Sequence, residues 1–467
     1  MHLSNRAFQA RRSIRKTLGS CLIFTLLFWI SEPDLLGASE LNVRTEKRLF
    51  PGDDPEATFG NALALTDTIA VIGAPSDETD AGPDAGSVYT YFRDGTNWVQ
   101  KARLSPNDVY PGDNFGAAVA LSADTLVVGA PSDDSLGWQS GAVYVFSRSG
   151  DAWIQEARLY PDQVQSYSYF GSVISICGDT ILIGKPSTNV RVSEPEAYIF
   201  IRKEFTWEFQ ATLIPNDRLV PDHYGGAVGL SGNTAIVGPS LNGGAYIFVR
   251  EGDQWHQQAE LFEFDLAGVL QSVAIEGETA LIGLTDHLTQ SREVYIFARN
   301  GTNWTRQAKF APPTGVEDSF FGYSIALFES KALISSSHSA ANLIVREGTN
   351  WVFQGTISGE KSIPLALFDD TALIRNPSPF AAENAVDVVR LPSLLRLTLL
   401  NQGPSLFLNL VTDSNSLVSI ESTSSPTGEW LSFRELRLTN GLQTIELPLN
   451  LREHTLFFRA RFLSGQN

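Results

Sequence analysis

Six tryptophans, Trp98, Trp153, Trp207, Trp255, Trp304 and Trp351, follow one another at intervals of 55, 54, 48, 49 and 47 residues. Spacing this even marks an internal repeat, and a period near 50 residues belongs to architectures in which each unit buries its apolar face against the next. The copy that starts at Phe115 reads FGAAVALSADTLVVGAPSDDSLGWQSGAVYVFSRSGDAWIQEARL. Four strands are legible in it, GAAVALS, TLVVGAP, GAVYVF and WIQEARL, each with the β-branched and aromatic bias of a pleated sheet. The first two are joined by tight turns such as Ala123-Asp124, Gly178-Asp179, Gly232-Asn233 and Gly277-Glu278. The last two are joined at Asp94-Gly95, Gly252-Asp253 and Asn300-Gly301, residue types that accept the positive φ of hairpin turns.

Each unit opens on an aromatic-glycine pair: Phe59-Gly60, Phe115-Gly116, Phe170-Gly171, Tyr224-Gly225 and Phe321-Gly322. The second strand ends on Gly73-Ala74-Pro75, Gly129-Ala130-Pro131, Gly184-Lys185-Pro186 or Gly238-Pro239. The fifth copy, near Gly268 and Gly283, is worn, and the seventh, SIPLALFDDTALIRNP followed by AVDVVRL, lacks both the aromatic-glycine pair and a final strand. A substitute stands at the other end of the chain, where Glu46-Lys47-Arg48-Leu49-Phe50-Pro51 matches Glu156-Ala157-Arg158-Leu159-Tyr160-Pro161. The expected fold is therefore all-β: a seven-bladed β-propeller over residues 40–391, closed by the N-terminal strand Val43 to Leu49, which removes the open edges of a linear array.

The repeated Phe-Gly and Gly-Ala-Pro elements resemble bacterial FG-GAP repeats, which are related to the propeller of integrin α chains. The resemblance covers some three quarters of the chain and implies a propeller fold, extracellular adhesion or ligand binding, and no defined activity of its own. Integrin-like repeats often hold calcium in an Asp-rich loop between strands one and two, where alternate oxygen donors suit that ion. Here those positions read Ser122-Ala123-Asp124-Thr125, Cys177-Gly178-Asp179-Thr180 and Glu276-Gly277-Glu278-Thr279, too short and too poor in carboxylates to wrap a cation. No metal and no cofactor is expected.

Residues 1–39 have a composition of their own. Arg6, Arg11, Arg12, Arg15 and Lys16 precede an apolar run from Leu18 to Ile30, and Gly37-Ala38-Ser39 offers small residues for cleavage, the pattern of a signal peptide. The alternative is an uncleaved membrane anchor, for which the run is short. Arg11-Arg12 and Leu18-Gly19-Ser20-Cys21 resemble twin-arginine and lipoprotein signals, but the strongly apolar stretch follows Cys21. The expected location is secreted or in the cell envelope. Leaving out residues 1–39, with five basic and two acidic groups, takes the formal charge from −18 to −21. A surface so negative disfavours nucleic acid and anionic lipid as partners, leaving membrane attachment only to an uncleaved N-terminal segment. Cys177 alone remains after that cleavage, so no internal disulfide forms, and its place at the end of SVISIC suggests a small buried thiol.

Carboxylates gather in two sets of loops. One set joins strands two and three (Asp77, Glu78, Asp80, Asp84; Asp133, Asp134), and the other leads into the blades (Asp53, Asp54, Asp108, Asp113, Asp162, Asp217, Asp222). In an up-and-down blade both sets emerge on one face, which predicts a negative rim able to attract cations or a basic partner, against the plainer reading that Asp, Gly and Pro simply make turns. Adjacent pairs such as Asp53-Asp54, Asp133-Asp134 and Asp369-Asp370 would face apart on a strand, which argues against joint acid-base work. His223, His256, His287, His338 and His454 are scattered, and no phosphate loop or nucleophile elbow is present. The periodic tryptophans belong to blade packing rather than to a carbohydrate platform; Trp138, in a loop and out of period, is the better candidate for ligand contact.

The candidate ligand-facing residues are thus Asp77, Asp80, Asp84, Asp133, Asp134 and Trp138, with no catalytic set. From residue 392 the repeat gives way to alternating segments (LLRLTLL, LFLNLV, LVSIES, GLQTIELPL, TLFFRARF), expected to form a small β-sandwich-like domain over residues 392–467. The expected function is non-catalytic binding, adhesion or scaffolding by a monomer that presents its loop faces to a protein or glycan. The competing expectations are a polysaccharide lyase or hydrolase seated in the central mouth and a purely structural envelope component.

Overall fold

The computed structural model describes residues 40–467 except 42, 52–57, 187–195, 217–223, 239–243, 262–267, 287–290, 313–317, 319, 360–363, 377–383, 392–395, 403–404, 413–415, 424–430, 439–440, 448–456 and 463–467. The signal-peptide segment, Asp53, Asp54, Asp217, Asp222, His223, His287 and His454 lie outside the described residues. Two compact units are distinguished, one spanning Asp34–Pro392 and one that includes Ser393–Asn467.

The first unit is a seven-bladed β-propeller. Its first sheet joins Ala62–Leu65, Ile69–Ala74, Ser87–Asp94 and Asn97–Leu104 in that order, all antiparallel. Five further four-stranded sheets repeat the order within residues 118–159, 173–213, 227–261, 268–310 and 325–357. The seventh joins Leu365–Phe368, Thr371–Asn376 and Ala385–Arg390, and its outermost strand is Arg44–Leu49, with Leu49 opposite Val386 and Arg44 opposite Arg390. The first strands of successive sheets touch one another in chain order, and Leu365–Phe368 touches Ala62–Leu65, so they form the innermost ring. No described residue is helical, so no helix is long and apolar enough to cross a membrane.

Burial explains the strand patterns. Ile69–Ala74 is buried at every position because neighbouring blades cover both faces, which is why second strands read as continuous apolar runs. The outer strand Asn97–Leu104 is buried chiefly at Trp98 and otherwise mixes exposed and half-buried positions. Its hairpin turns at Gly95 with φ of 61°, a left-handed conformation that strains any residue with a Cβ.

The core lies between blades. Val71, Val88 and Phe92 of the first blade pack with Phe115, Val128 and Tyr144 of the second in one cluster. In the first three blades the phenylalanine of the Phe-Gly pair meets the tyrosine of its own third strand edge-on: Phe59 and Tyr89 are 5.3 Å apart at 77°, Phe115 and Tyr144 5.2 Å at 87°, and Phe170 and Tyr198 5.7 Å at 79°. The glycine does something different. Gly116 donates its N–H to Gly129 O of its own blade at 3.0 Å, while its carbonyl is turned onto Gly73 of the preceding blade. A Cβ on Gly73 would stand 2.0 Å from Gly116 O, and the same collision awaits one on Gly129, Gly184 or Gly283, at 2.0, 2.0 and 2.1 Å from the carbonyls of Gly171, Gly225 and Gly322. The two glycines of the repeat are therefore the two halves of one seam.

Outer strands carry a second device. Ala102 pairs with Thr90 and Gln100 with Tyr91, leaving Lys101 as a bulge, and equivalent register shifts single out Glu156, Gln210, Gln258, Gln307 and Gln354. Arg44–Leu49 has the same bulge, at Glu46. The bulged side chain reaches the next blade's tryptophan: Trp255 Nε1 donates to Gln210 at 2.9 Å, Trp304 Nε1 to Gln258 at 3.2 Å and Trp207 Nε1 to Glu156 at 3.4 Å. Trp153 follows Lys101, which has no acceptor to offer, and its buried Nε1 is without a partner. Arginines cover these rings, Arg202 over Trp207 at 4.8 Å and Arg93 over Trp98 at 5.6 Å.

In the second unit, Arg396–Gln402, Ser405–Thr412 and Gly441–Leu447 form one three-stranded sheet, and Leu431–Leu438, Ser416–Thr423 and Phe457–Phe462 form another.

Gly129→Ala is expected to destabilise the propeller by about 1–3 kcal/mol or more through overpacking at the seam. Gly150→Ala, in an open hairpin turn at φ of 63°, meets no neighbour and should cost only the left-handed penalty of about 1–2 kcal/mol. Urea unfolding of the two variants side by side checks the difference.

Candidate functional site

The loops between strands two and three and those leading into each blade meet on one face, and the six candidate residues separate there into two groups. Asp77 and Asp133 are fully buried, whereas Asp80, Asp84, Asp134 and Trp138 are exposed. The buried pair corrects the expectation that these two carboxylates face a ligand. Asp77 accepts from Tyr89 Oη at 2.8 Å and from Ser87 Oγ, and it pairs with Arg103 at 2.9 Å. Asp133 pairs with Arg158, which also reaches Asp108 at 3.2 Å and lies over the Tyr144 ring at 5.0 Å. A carboxylate with no solvent is tolerable only when paired and hydrogen-bonded, and each arginine supplies that from the outer strand, at the position directly opposite the third-strand tyrosine. Blades three and five vary the theme: Lys185 pairs with Glu196 and Lys309 with Glu293, both at 2.6 Å, and Tyr198 and Tyr295 donate to those carboxylates. Burial, then the carboxylate partner, pushes the Tyr89 and Tyr198 hydroxyls well above the usual tyrosine range.

Asp113 is buried close to this network, and its Oδ2 accepts from the Tyr110 N–H at 2.8 Å. Desolvation raises its pKa to about 6, with Asp133 and Asp134 adding repulsion against the stabilising Tyr110 N–H and Arg158. Asp318 is the opposite case. It accepts from Ser336 Oγ at 2.5 Å, Ser337 N at 2.6 Å and Phe320 N at 3.0 Å, and these bonds outweigh burial and hold its pKa below the ordinary value. Among the described residues no group of three or more His, Cys, Asp or Glu side chains gathers as a metal site would require. Cys177, expected to be buried, is half-exposed at the end of its strand, and its Sγ accepts the Gly232 N–H at 3.2 Å. Of the adjacent carboxylate pairs, Asp370 turns inward to Arg390 at 2.8 Å while Asp369 stays exposed. On the rim between blades three and four, a depression of about 330 Å³ is lined by Leu213, Ile214, Asn216, Phe248, Trp255 and Gln257.

Beside the exposed carboxylates Asp80, Asp84 and Asp134, the loop face offers aromatic and aliphatic side chains to solvent. Trp138 is 59% exposed and Tyr167, a residue the sequence reading missed, 39%. The Tyr167 N–H donates to Trp138 O at 2.7 Å, and Leu136 and Val164 lie exposed on the same two loops.

Seven radially packed four-stranded sheets define a β-propeller. The FG-GAP repeat family matches residues 45–91, 98–146, 153–200 and 207–248. Residues 45–248 thus carry four FG-GAP repeats, consistent with the seven-bladed propeller. No curated protein matches it. Among solved structures, the β-propeller domain of Myceliophteria thermophila Cps50 (Swd1) aligns at 8% identity with a TM-score of 0.51, covering 75% of this chain and 100% of that one. Saccharomyces cerevisiae Sqt1 aligns at 10% identity and a TM-score of 0.44, covering 80% and 97%. At this identity the first likeness is one of fold alone.

Because the folded chain binds the Asp113 proton more tightly than the unfolded chain, Asp113 lowers stability progressively as pH rises from about 4 through 6. Asp113→Asn should therefore melt higher than the parent at pH 8, with the gap closing towards pH 4. Thermal melts across that range decide it, and a gap that does not change with pH would refute the assignment.

Proposed function

We propose that this is an exported binding or scaffolding protein that works without catalysis, presenting the loop face of its propeller to a macromolecule or glycan. The observation that carries the reading is the division of that face: Asp77 and Asp133 are occupied by arginines, while Trp138 and Tyr167 stand exposed on loops tied together by hydrogen bonds. Rigid, exposed aromatic side chains serve recognition, because they bury large area at small entropic cost. Export rests on the basic-then-apolar composition of residues 1–39. The net charge of the chain, formally −18, disfavours nucleic acid and anionic lipid. The protein acts as a monomer, and its second unit forms a small β-sandwich.

The N-terminal strand acts as the clasp of the ring. Supporting this are the pairing of Arg44–Leu49 with Ala385–Arg390, the Arg48–Asp387 ion pair at 2.7 Å, and the Arg93–Glu46 contact at 3.3 Å that ties the clasp to the first blade. Deleting residues 40–50 would bare the edge of Ala385–Arg390, so the variant should melt lower and self-associate, as size-exclusion chromatography reports. An unchanged melting midpoint and elution volume would oppose the clasp.

The binding function is tested by screening residues 40–467 over protein and glycan arrays. The expected result is a ligand whose affinity falls about tenfold or more in Trp138→Ala, the loss typical of an interface anchor. Turnover of a polysaccharide that persists in Trp138→Ala and vanishes in Asp113→Asn would replace this reading with the enzymatic one.

A further inference from the structure

The junction between blades one and two and the junction between blades two and three share one backbone. In the first, Gly112, Asn114 and Phe115 donate their N–H groups to the carbonyls of Pro83, Asp84 and Ala85 at 3.0, 3.1 and 3.0 Å. In the second, Tyr167, Tyr169 and Phe170 donate to Trp138, Gln139 and Ser140 at 2.7, 3.1 and 3.2 Å. The left-handed residues match as well: Asp84 and Gln139 at φ of 53° and 48°, Asn114 and Tyr169 at 57° and 50°, Gly112 and Tyr167 at 85° and 60°. One junction is thus built from Gly and Pro, the residues such a backbone favours, whereas its sister places Tyr and Trp at the same two positions and leaves both exposed. A bulky residue at positive φ is disfavoured by its Cβ, so packing and backbone preference do not account for Tyr167.

We infer that Trp138 and Tyr167 form a stacking platform for a neutral polysaccharide chain, an inference that rests on the binding function proposed above. Sugar rings offer flat C–H faces to aromatic rings and hydroxyls to flanking polar groups, and sites of this kind combine an aromatic floor with a few polar side chains. The flanking exposed groups are carboxylate and amide, Asp134, Asp162 and Gln163. The backbone under the rings is fixed: Asp134 Oδ1 accepts the Gln139 N–H at 2.6 Å, and Tyr169 Oη donates to Gln139 Oε1 at 2.6 Å. The cations of the two junction loops and their supporting strands are engaged elsewhere, Arg158 with Asp108 and Asp133 and Lys185 with Glu196. A uronate or sulfated chain would meet carboxylates without a counter-charge, which selects the neutral class.

The test is affinity electrophoresis through gels containing glucan, mannan, xylan or galactan, with polygalacturonate as the anionic control. Wild type should be retarded by at least one neutral polymer and not by polygalacturonate. Trp138→Pro combined with Tyr167→Gly, which copies the sister junction, should lose about tenfold or more in retardation constant while keeping its circular dichroism spectrum. If the double variant fails to fold, Trp138→Ala, at a ring more than half exposed, replaces it with the same expected loss. Retardation by none of the neutral polymers, retardation that survives the substitutions, or stronger retardation by polygalacturonate overturns the inference. An array-identified protein ligand that these substitutions release would keep the binding face and discard the sugar; one they leave bound would discard the face itself.

Discussion

The seam at which one glycine carbonyl is laid against the next blade's glycine sets the geometry of the ring. With no Cβ on Gly73, Gly129, Gly184 or Gly283, the neighbouring blade's carbonyl can approach to a distance that every other residue forbids. The approach brings strand one of each blade against its neighbours and lets side chains of the inner faces interdigitate, which is where the buried area and most of the stability lie. Both glycines are needed for one contact, which explains why a single repeat carries two glycine signatures thirteen residues apart in sequence, as Gly116 and Gly129 are.

Three of the seven seams are altered, each in its own way. Blade five lacks the aromatic-glycine pair, and Leu270 instead fills the space beside Gly238, where a Cβ would meet Leu270 Cδ2 at 2.5 Å. Blade six has Ser335 at the second glycine position, and the following blade has no aromatic-glycine pair to press on it; Ser335 Oγ bonds Phe320 O at 2.7 Å instead. Blade seven carries Arg375 there, and its aliphatic stem runs past Gly60, whose missing Cβ would stand 3.0 Å from Arg375 Cγ. Only the seam between blades six and seven has changed on both sides; Gly238 and Gly60 are kept where their partner glycine is replaced by Leu270 and Arg375. At the rim, by contrast, the bulge-to-tryptophan contact is made by Glu or Gln in three blades and is absent at Trp153, which follows Lys101, and at Trp98, where Glu46 pairs with Arg93 instead.

The repeat and its strands were legible because each blade restates the same local grammar, and the match of Glu46-Lys47-Arg48-Leu49 to Glu156-Ala157-Arg158-Leu159 pointed to the N-terminal strand. The fate of the loop carboxylates was not legible from the loops. Asp77 finds Arg103 on the outer strand, 26 positions away, and whether a turn aspartate is solvated or locked depends on that distant partner. A signal was present all the same, since Ala102-Arg103-Leu104 and Ala157-Arg158-Leu159 place arginine at one repeat position in the two blades whose loops bury an aspartate, and Lys47-Arg48-Leu49 repeats it in the seventh, where Arg48 pairs with Asp387. Trp138 was visible as a tryptophan out of period. Tyr167 was not, because its meaning lies in the comparison with Gly112, three residues before the Phe-Gly pair in each case.

The loop face thus separates two roles that the sequence merges. Ion pairs beneath it hold the loops, and aromatic side chains above it meet solvent. Both depend on the ring having seven members in this order, and a crystal structure of residues 40–467 is the most direct measurement of that. It should show seven four-stranded sheets with the Gly171 carbonyl packed on Gly129 and residues 44–49 hydrogen-bonded to 385–390. Six or eight sheets, or residues 44–49 unpaired, would contradict it.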